Sequence, residues 1–139
     1  MIEPQRVLFV CQHNSARSQM AEGMLRAWGG DRYEAHSAGI EATAVLPEAI
    51  AVMDELGLDL RSHQSKTVEG YLGQSWDALI PVCEEGCAAC PWIPGAKRVL
   101  RWMFDDPSAV VGDEAARMAE FRRVRDEIAA AVRDLIARG

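Results

Sequence analysis

Residues 7–23 read Val7-Leu8-Phe9-Val10-Cys11-Gln12-His13-Asn14-Ser15-Ala16-Arg17-Ser18-Gln19-Met20-Ala21-Glu22-Gly23, and this stretch decides the fold. Val7 to Val10 form an unbroken apolar run of strand formers, the pattern of a strand buried on both faces, predicted over residues 6–11. A polar loop, 12–16, follows. Met20, Met24, Leu25 and Trp28 then recur at helical spacing over residues 18–28, until Gly29 and Gly30 end the helix. Strand, polar loop and amphipathic helix make the opening half of a β-α-β unit.

The rest of the chain repeats that alternation. Residues 33–38 are a second strand closed by Gly39. Pro47 opens a helix with Glu48 in its first turn, Ile50, Met53 and Leu56 on one side, and Gly57 as stop. A polar loop at 62–65 leads to a short helix at 67–72. A third strand spans 76–83, with Pro81 tolerable only near its end or at an edge. Residues 96–104 read as a fourth strand and 113–138 as a long final helix, with Met118, Phe121, Ile128, Val132, Leu135 and Ile136 on one stripe. Strands alternating with helices imply parallel pairing through right-handed crossovers. The expectation is a single α/β domain over residues 1–139: a three-layer sandwich around a four-stranded parallel, doubly wound sheet. Ligands in such folds bind beyond the carboxyl ends of the strands. Two strands end at Cys11 and Cys83, and the fourth runs into Asp105 and Asp106, so the chemistry converges on one edge of the sheet.

Composition narrows the function classes. The chain has 139 residues, 49% hydrophobic and 26% charged, with net charge −6, which suits one globular domain. Apolar runs no longer than residues 7–11 fall far short of the ~20 residues a membrane span needs. Net negative charge argues against a nucleic-acid partner, and the arginines of 113–139 are matched by acids. The start of the chain has no secretory pattern, which suggests the cytoplasm. Four cysteines in such a chain point to metal binding or redox chemistry rather than structural staples.

The loop between the first strand and helix carries the chemistry. Cys11 is followed six positions later by Arg17, then Ser18. Amides of residues 12 to 17 can turn inward as a nest, and the helix N-terminus adds positive potential. Gln12, His13, Asn14, Ser15, Ala16 and Arg17 would line this cup, with the Arg17 fork on two oxygens of a tetrahedral oxyanion. The same field favours thiolate over thiol, which makes Cys11 the nucleophile, with Ser18 donating to its sulfur.

Residues 7–23 resemble the active-site segment shared by low-molecular-weight protein tyrosine phosphatases and thioredoxin-coupled arsenate reductases. The likeness continues through Ser37-Ala38-Gly39-Ile40, the cysteine segment at 83–90, Phe104-Asp105-Asp106-Pro107 and residues 121–128. It assigns the general acid to Asp106, the aspartate directly before proline. The phosphatases usually carry aromatic residues after that proline and a proline at position 19; here stand Ser108, Ala109, Val110 and Gln19. Cys83, six residues, then Cys90-Pro91 matches the reductases. That resemblance implies an oxidation relayed from Cys11 to Cys83 and then to Cys90, with thioredoxin as electron donor. Cys83 and Cys90 in one helix would stand ~10.5 Å apart along its axis, too far for a disulfide, so this segment should loop and change conformation with oxidation state.

Cys87 is surplus to the family pattern: a spare resolving thiol, or a small buried residue. In the reductases an asparagine, a glutamate and a serine hold the cup, sometimes around potassium. These correspond to Asn14, Glu22 and Ser37, while Lys66 stands where a further acidic ligand would be, so little potassium dependence is expected. His13, His36 and His63 lack metal-like spacing, and no dinucleotide fingerprint is present. The expectation is therefore a monomeric arsenate reductase with no bound cofactor or metal, and with phosphate or sulfate as competing oxyanions. A phosphatase whose extra cysteines protect Cys11, and a zinc-binding or redox regulatory module, are the alternatives.

Overall fold

The structure is a computed structural model of the chain and describes residues 3–84, 88 and 93–139. Three strands, β1 (Gln5–Cys11), β2 (Tyr33–Gly39) and β3 (Ala78–Pro81), pair in the order β2-β1-β3, all parallel. Cys11 lies opposite Gly39 and Val10 opposite Pro81, so the strands share one carboxyl edge. Three helices have both ends among the described residues: α1 (Arg17–Gly29), α2 (Pro47–Asp54) and α3 (Glu114–Arg138).

β1 is central, as its apolar run requires. Val7 and Phe9 point into the main core with Met20, Met24, Val52, Phe121, Val124 and Ile128, whereas Leu8 and Val10 join a smaller cluster with Trp76, Leu79 and Ile93. The two-residue period of a strand divides the run between the faces of the sheet. Each fully buried side chain of this size stabilises the fold by about 1.5–3 kcal/mol.

α3 begins at Asp113, whose Oδ1 accepts from the Ala116 amide at 2.8 Å. Its stripe includes a charge the apolar pattern hides. Arg125 is 8% exposed, and its guanidinium donates to the Val52 carbonyl (2.9 Å) and to Glu55 Oε1 (2.6 Å). It thereby satisfies a carbonyl in the last turn of α2 and joins the two helices.

The expected fourth strand is not a regular strand. Residues 95–104 do run beside β3: Trp76 donates to Gly95 O and Leu79 to Arg98 O, and Leu100, Trp102 and Phe104 donate back to Leu79, Pro81 and Val82. Only isolated bridges result, at Trp76–Ala96 and Leu79–Val99. A parallel ladder repeats every two residues, and the step from 76 to 79 is three. Pro81 then has no N–H to give to residue 100. The sheet therefore has three strands among the described residues. The expected helix at 67–72 is a 3-10 turn at Val68–Tyr71, and the helix opened by Pro47 ends at Asp54, before Gly57 (φ 75°).

Candidate active site

The loop joining β1 to α1 forms a cup because every carbonyl from Cys11 to Ala16 is held on its outside. Cys11 O and Gln12 O accept from the Ile40 and Glu41 amides, and Ser15 O and Ala16 O from those of Leu46 and Met20, at 2.9–3.1 Å. His13 O takes the Ser65 hydroxyl at 2.8 Å, and Asn14 O takes Gln19 Nε2 at 3.3 Å. Among the described residues no peptide bond is cis. In a trans peptide the N–H points opposite to the C=O, so the amides of residues 12 to 17 face inward. The Asn14 amide shows this directly, donating to Cys11 Sγ at 3.1 Å. No side chain caps the start of α1, which leaves its first amides for an anion.

Asn14 makes the sharp turn. It is the one described non-glycine residue with positive φ (50°), a region asparagine tolerates better than most. Its buried side chain uses its full capacity: Nδ2 donates to Ser18 Oγ (2.8 Å) and Ser37 Oγ (2.9 Å), while Oδ1 accepts from Gln19 Nε2 (2.8 Å) and the Lys66 amide (2.8 Å). Ser18 Oγ accepts from Asn14 and lies 2.8 Å from Cys11 Sγ, so its own proton is available to the sulfur. Ser37 Oγ in the same way passes its proton to Glu22 Oε1 at 2.5 Å.

Glu22 is 3% exposed yet surrounded by basic side chains. Arg26 lies 2.9 Å from Oε2, Lys66 Nζ 3.7 Å from Oε1, and His63 Nδ1 3.6 Å from Oε2. Lys66 Nζ also donates to Gln64 O at 2.9 Å. Burial pushes the His63 imidazole below its ordinary 6.5, against the pull of Glu22 in the other direction.

Arg17 is positioned at the rim by a hydrogen bond from Nη1 to Phe104 O (3.0 Å), with Nη2 3.9 Å from Asp106 Oδ2. Asp106 Oδ1 accepts from the Ser108 amide (2.9 Å) and hydroxyl (2.6 Å), which leaves Oδ2 toward Arg17. Asp105 turns away to Arg123 at 3.0 Å. Cys83 is buried two residues past the end of β3, and the Val82 amide donates to Val10 O at 3.0 Å. Cys11 thus ends β1, and Cys83 follows the neighbouring β3, at one edge of the sheet.

The fold therefore brings together Cys11, Gln12, His13, Asn14, Ser15, Ala16, Arg17, Ser18, Glu22, Ser37, Lys66 and Asp106. Cys87 and Cys90, and with them the expected looping of their segment, lie outside the described residues. Among the described residues no cluster of metal-ligating side chains occurs, and no helix is long and apolar enough to cross a membrane.

Two participants escaped the sequence reading. Gln19 stood out there only as a departure from the phosphatases, although its donors hold Asn14 and Gln64. Gly39 looked like a strand end, but a Cβ there would lie 2.7 Å from the Asn14 nitrogen and 2.9 Å from Gln12 O. Only glycine lets β2 pass this close to the cup.

The sequence profile described as low molecular weight phosphotyrosine protein phosphatase matches residues 6–138. An arsenate reductase of Halalkalibacterium halodurans is 42% identical over 122 residues, 88% of each chain. One from Bacillus subtilis is 37% identical over 127 residues, 91% of each. A solved arsenate reductase in its phosphate-binding state superposes with a TM-score of 0.84 at 33% identity, covering 96% of this chain and 98% of that one. With its cup, its sheet order and these relatives, the chain belongs to the low-molecular-weight phosphotyrosine protein phosphatase family.

Proposed function

We propose that this chain reduces arsenate to arsenite with electrons from its own thiols, restored by thioredoxin. The inward amides and Arg17 bind the oxyanion. Cys11 thiolate, held by the Ser18 hydroxyl and the Asn14 amide, attacks arsenic. Asp106 protonates the departing oxygen, which leaves as water, and a Cys11–arsenic bond remains. Cys83 thiolate then attacks Cys11 sulfur. The sulfur–arsenic bond breaks with its electron pair going to arsenic, arsenite leaves, and a Cys11–Cys83 disulfide forms. Attack of Cys90 on Cys83 frees Cys11, and the thioredoxin dithiol reduces the Cys83–Cys90 bridge by exchange. Two thiols lose two electrons and arsenate gains them.

The observation that carries this reading is the position of Cys83. A phosphatase needs one cysteine at the cup, whereas here a second, buried one follows the strand beside it by two residues. Ser108, Ala109 and Val110 offer no aromatic wall for a phosphotyrosine ring, so phosphate ester hydrolysis is a weak side activity. The residues do not fit a potassium ion: Asn14 Oδ1 is taken by Gln19 and the Lys66 amide, and the Lys66 ammonium stands against Glu22. A reducing cytoplasm, no bound cofactor and a monomeric state complete the proposal.

The test is arsenate-dependent NADPH consumption with thioredoxin and thioredoxin reductase, comparing wild type with Cys83→Ser, Cys87→Ser and Cys90→Ser. Loss in the Cys83 and Cys90 variants, with Cys87→Ser active, supports the relay. Turnover that survives removal of Cys83 or Cys90 overturns it, and no arsenate-dependent consumption by wild type favours the phosphatase reading.

A further inference from the structure

The direction of the hydrogen bonds around Asn14 is set by groups whose roles cannot reverse. Gln64 O is a carbonyl and only accepts; Gln19 Nε2 lies 2.9 Å from it and must be the amino end of that amide. The same Nε2 lies 3.3 Å from Asn14 O and 2.8 Å from Asn14 Oδ1. His63 Nδ1 faces the other end, 3.1 Å from Gln19 Oε1, and therefore carries its proton on that nitrogen. The Lys66 amide, which only donates, gives Asn14 Oδ1 its second bond. With Oδ1 saturated by donors, Asn14 has only its amino group left for Ser18 and Ser37.

We infer that Gln19 is a positioning residue for the nucleophile: it pins Asn14 in its left-handed conformation and fixes the amide so that Ser18 presents a proton to Cys11. Gln19 is 0% exposed and reaches neither the inside of the cup nor the sulfur, so its effect passes through Asn14 and Ser18. It also ties the loop to residues 63 and 64, more than forty positions away in the sequence. The inference deepens the proposed function, since it rests on Cys11 as the nucleophile, but it concerns a thiol titration that needs no substrate.

The test is the pH dependence of Cys11 alkylation by iodoacetamide, with the modified peptide identified by mass spectrometry. In Gln19→Met, which keeps the volume and removes the donors, the midpoint rises by about one pH unit. At a fixed pH below it, alkylation then slows about tenfold, the equilibrium weight of one hydrogen bond. Ser18→Ala raises the midpoint similarly. The double variant rises no further than Ser18→Ala alone, because both changes remove the same proton from sulfur. A looser structure alone would add to the Ser18 effect. If Gln19→Met does not fold, Gln19→Glu, which keeps the length and replaces the donor by an acceptor, enters the same cycle. An unchanged midpoint in a folded variant, or additive shifts in the double variant, overturns the inference. If the midpoints behave as described while arsenate turnover is absent, the positioning role stands and the proposed reaction falls.

Discussion

Asn14 combines a backbone conformation and a side-chain network in one residue, and two substitutions separate them. Asn14→Ala removes the four side-chain bonds and leaves the Lys66 amide without its acceptor in a partly buried position. An orphaned buried donor costs about 1–3 kcal/mol. Alanine at φ 50° adds about 1 kcal/mol, since its Cβ crowds the following carbonyl without a local polar compensation. The loss is about 2–4 kcal/mol, a large part of the ~5–15 kcal/mol that stabilises a domain. Asn14→Gly loses the same bonds but adopts positive φ freely, so it should be the more stable of the two by about 1 kcal/mol. That order reverses the one seen in a helix, where alanine is better than glycine by about 1 kcal/mol. Urea unfolding gives both numbers if the two variants share the wild-type slope. The reasoning fails if Asn14→Ala is at least as stable as Asn14→Gly. It fails equally if either variant loses less than about 1 kcal/mol, because a saturated buried amide cannot then be holding the loop.

Gly39→Ala places a methyl against backbone atoms of the cup at 2.7–2.9 Å, so it should destabilise by about 1–3 kcal/mol and weaken phosphate binding measured by calorimetry; unchanged affinity would show that the cup does not depend on this approach. His63 is held neutral by burial below its ordinary 6.5. The unfolded chain takes up that proton near 6.5 while the folded one resists, so stability falls as pH drops below about 6.5 and levels off at the depressed folded value. His63→Gln should flatten the slope of Tm against pH in that window, and an unaltered slope counts against the assignment. With the Lys66 ammonium on Gln64 O and near Glu22, turnover in potassium and sodium chloride of equal ionic strength should agree; strong activation by potassium would show that the ammonium does not take the place of the ion.

The strand, the cup and the first helix were legible because their determinants are local. An apolar run buried on both faces, a polar loop with cysteine and arginine at its ends, and a helical stripe all lie within residues 7–28. The last strand was not. Residues 96–104 carry strand-like composition, but regularity depends on the partner, and β3 offers a three-residue step and a proline. Arg125 was hidden for a related reason: a charge inside an apolar stripe looks like an interruption until α2 supplies the Val52 carbonyl and Glu55. Gln19 has no periodic signature at all. Its partners are Asn14, His63 and Gln64, and only the tertiary fold brings the last two within reach.

The Asn14 network also bears on how this fold would support a thiolate at Cys11, the state the proposed reaction needs. A sulfur anion could be stabilised by distant charge or by a directed proton. Charge is a weak candidate from the Glu22 side, because Arg26 and Lys66 are partly exposed, with side chains 54% and 34% accessible, and both face the Glu22 carboxylate. Such pairs largely compensate each other, and solvent screens what is left. The directed proton is not screened. Ser18 and the Asn14 amide touch Cys11 Sγ at 2.8 and 3.1 Å inside a buried pocket, where low polarity strengthens each hydrogen bond. Glu22 then acts mainly at the other end of the chain. By accepting from Ser37, it keeps that hydroxyl oriented to receive from Asn14, so both amino protons of one amide point outward, one branch ending on a carboxylate and the other on the Cys11 sulfur.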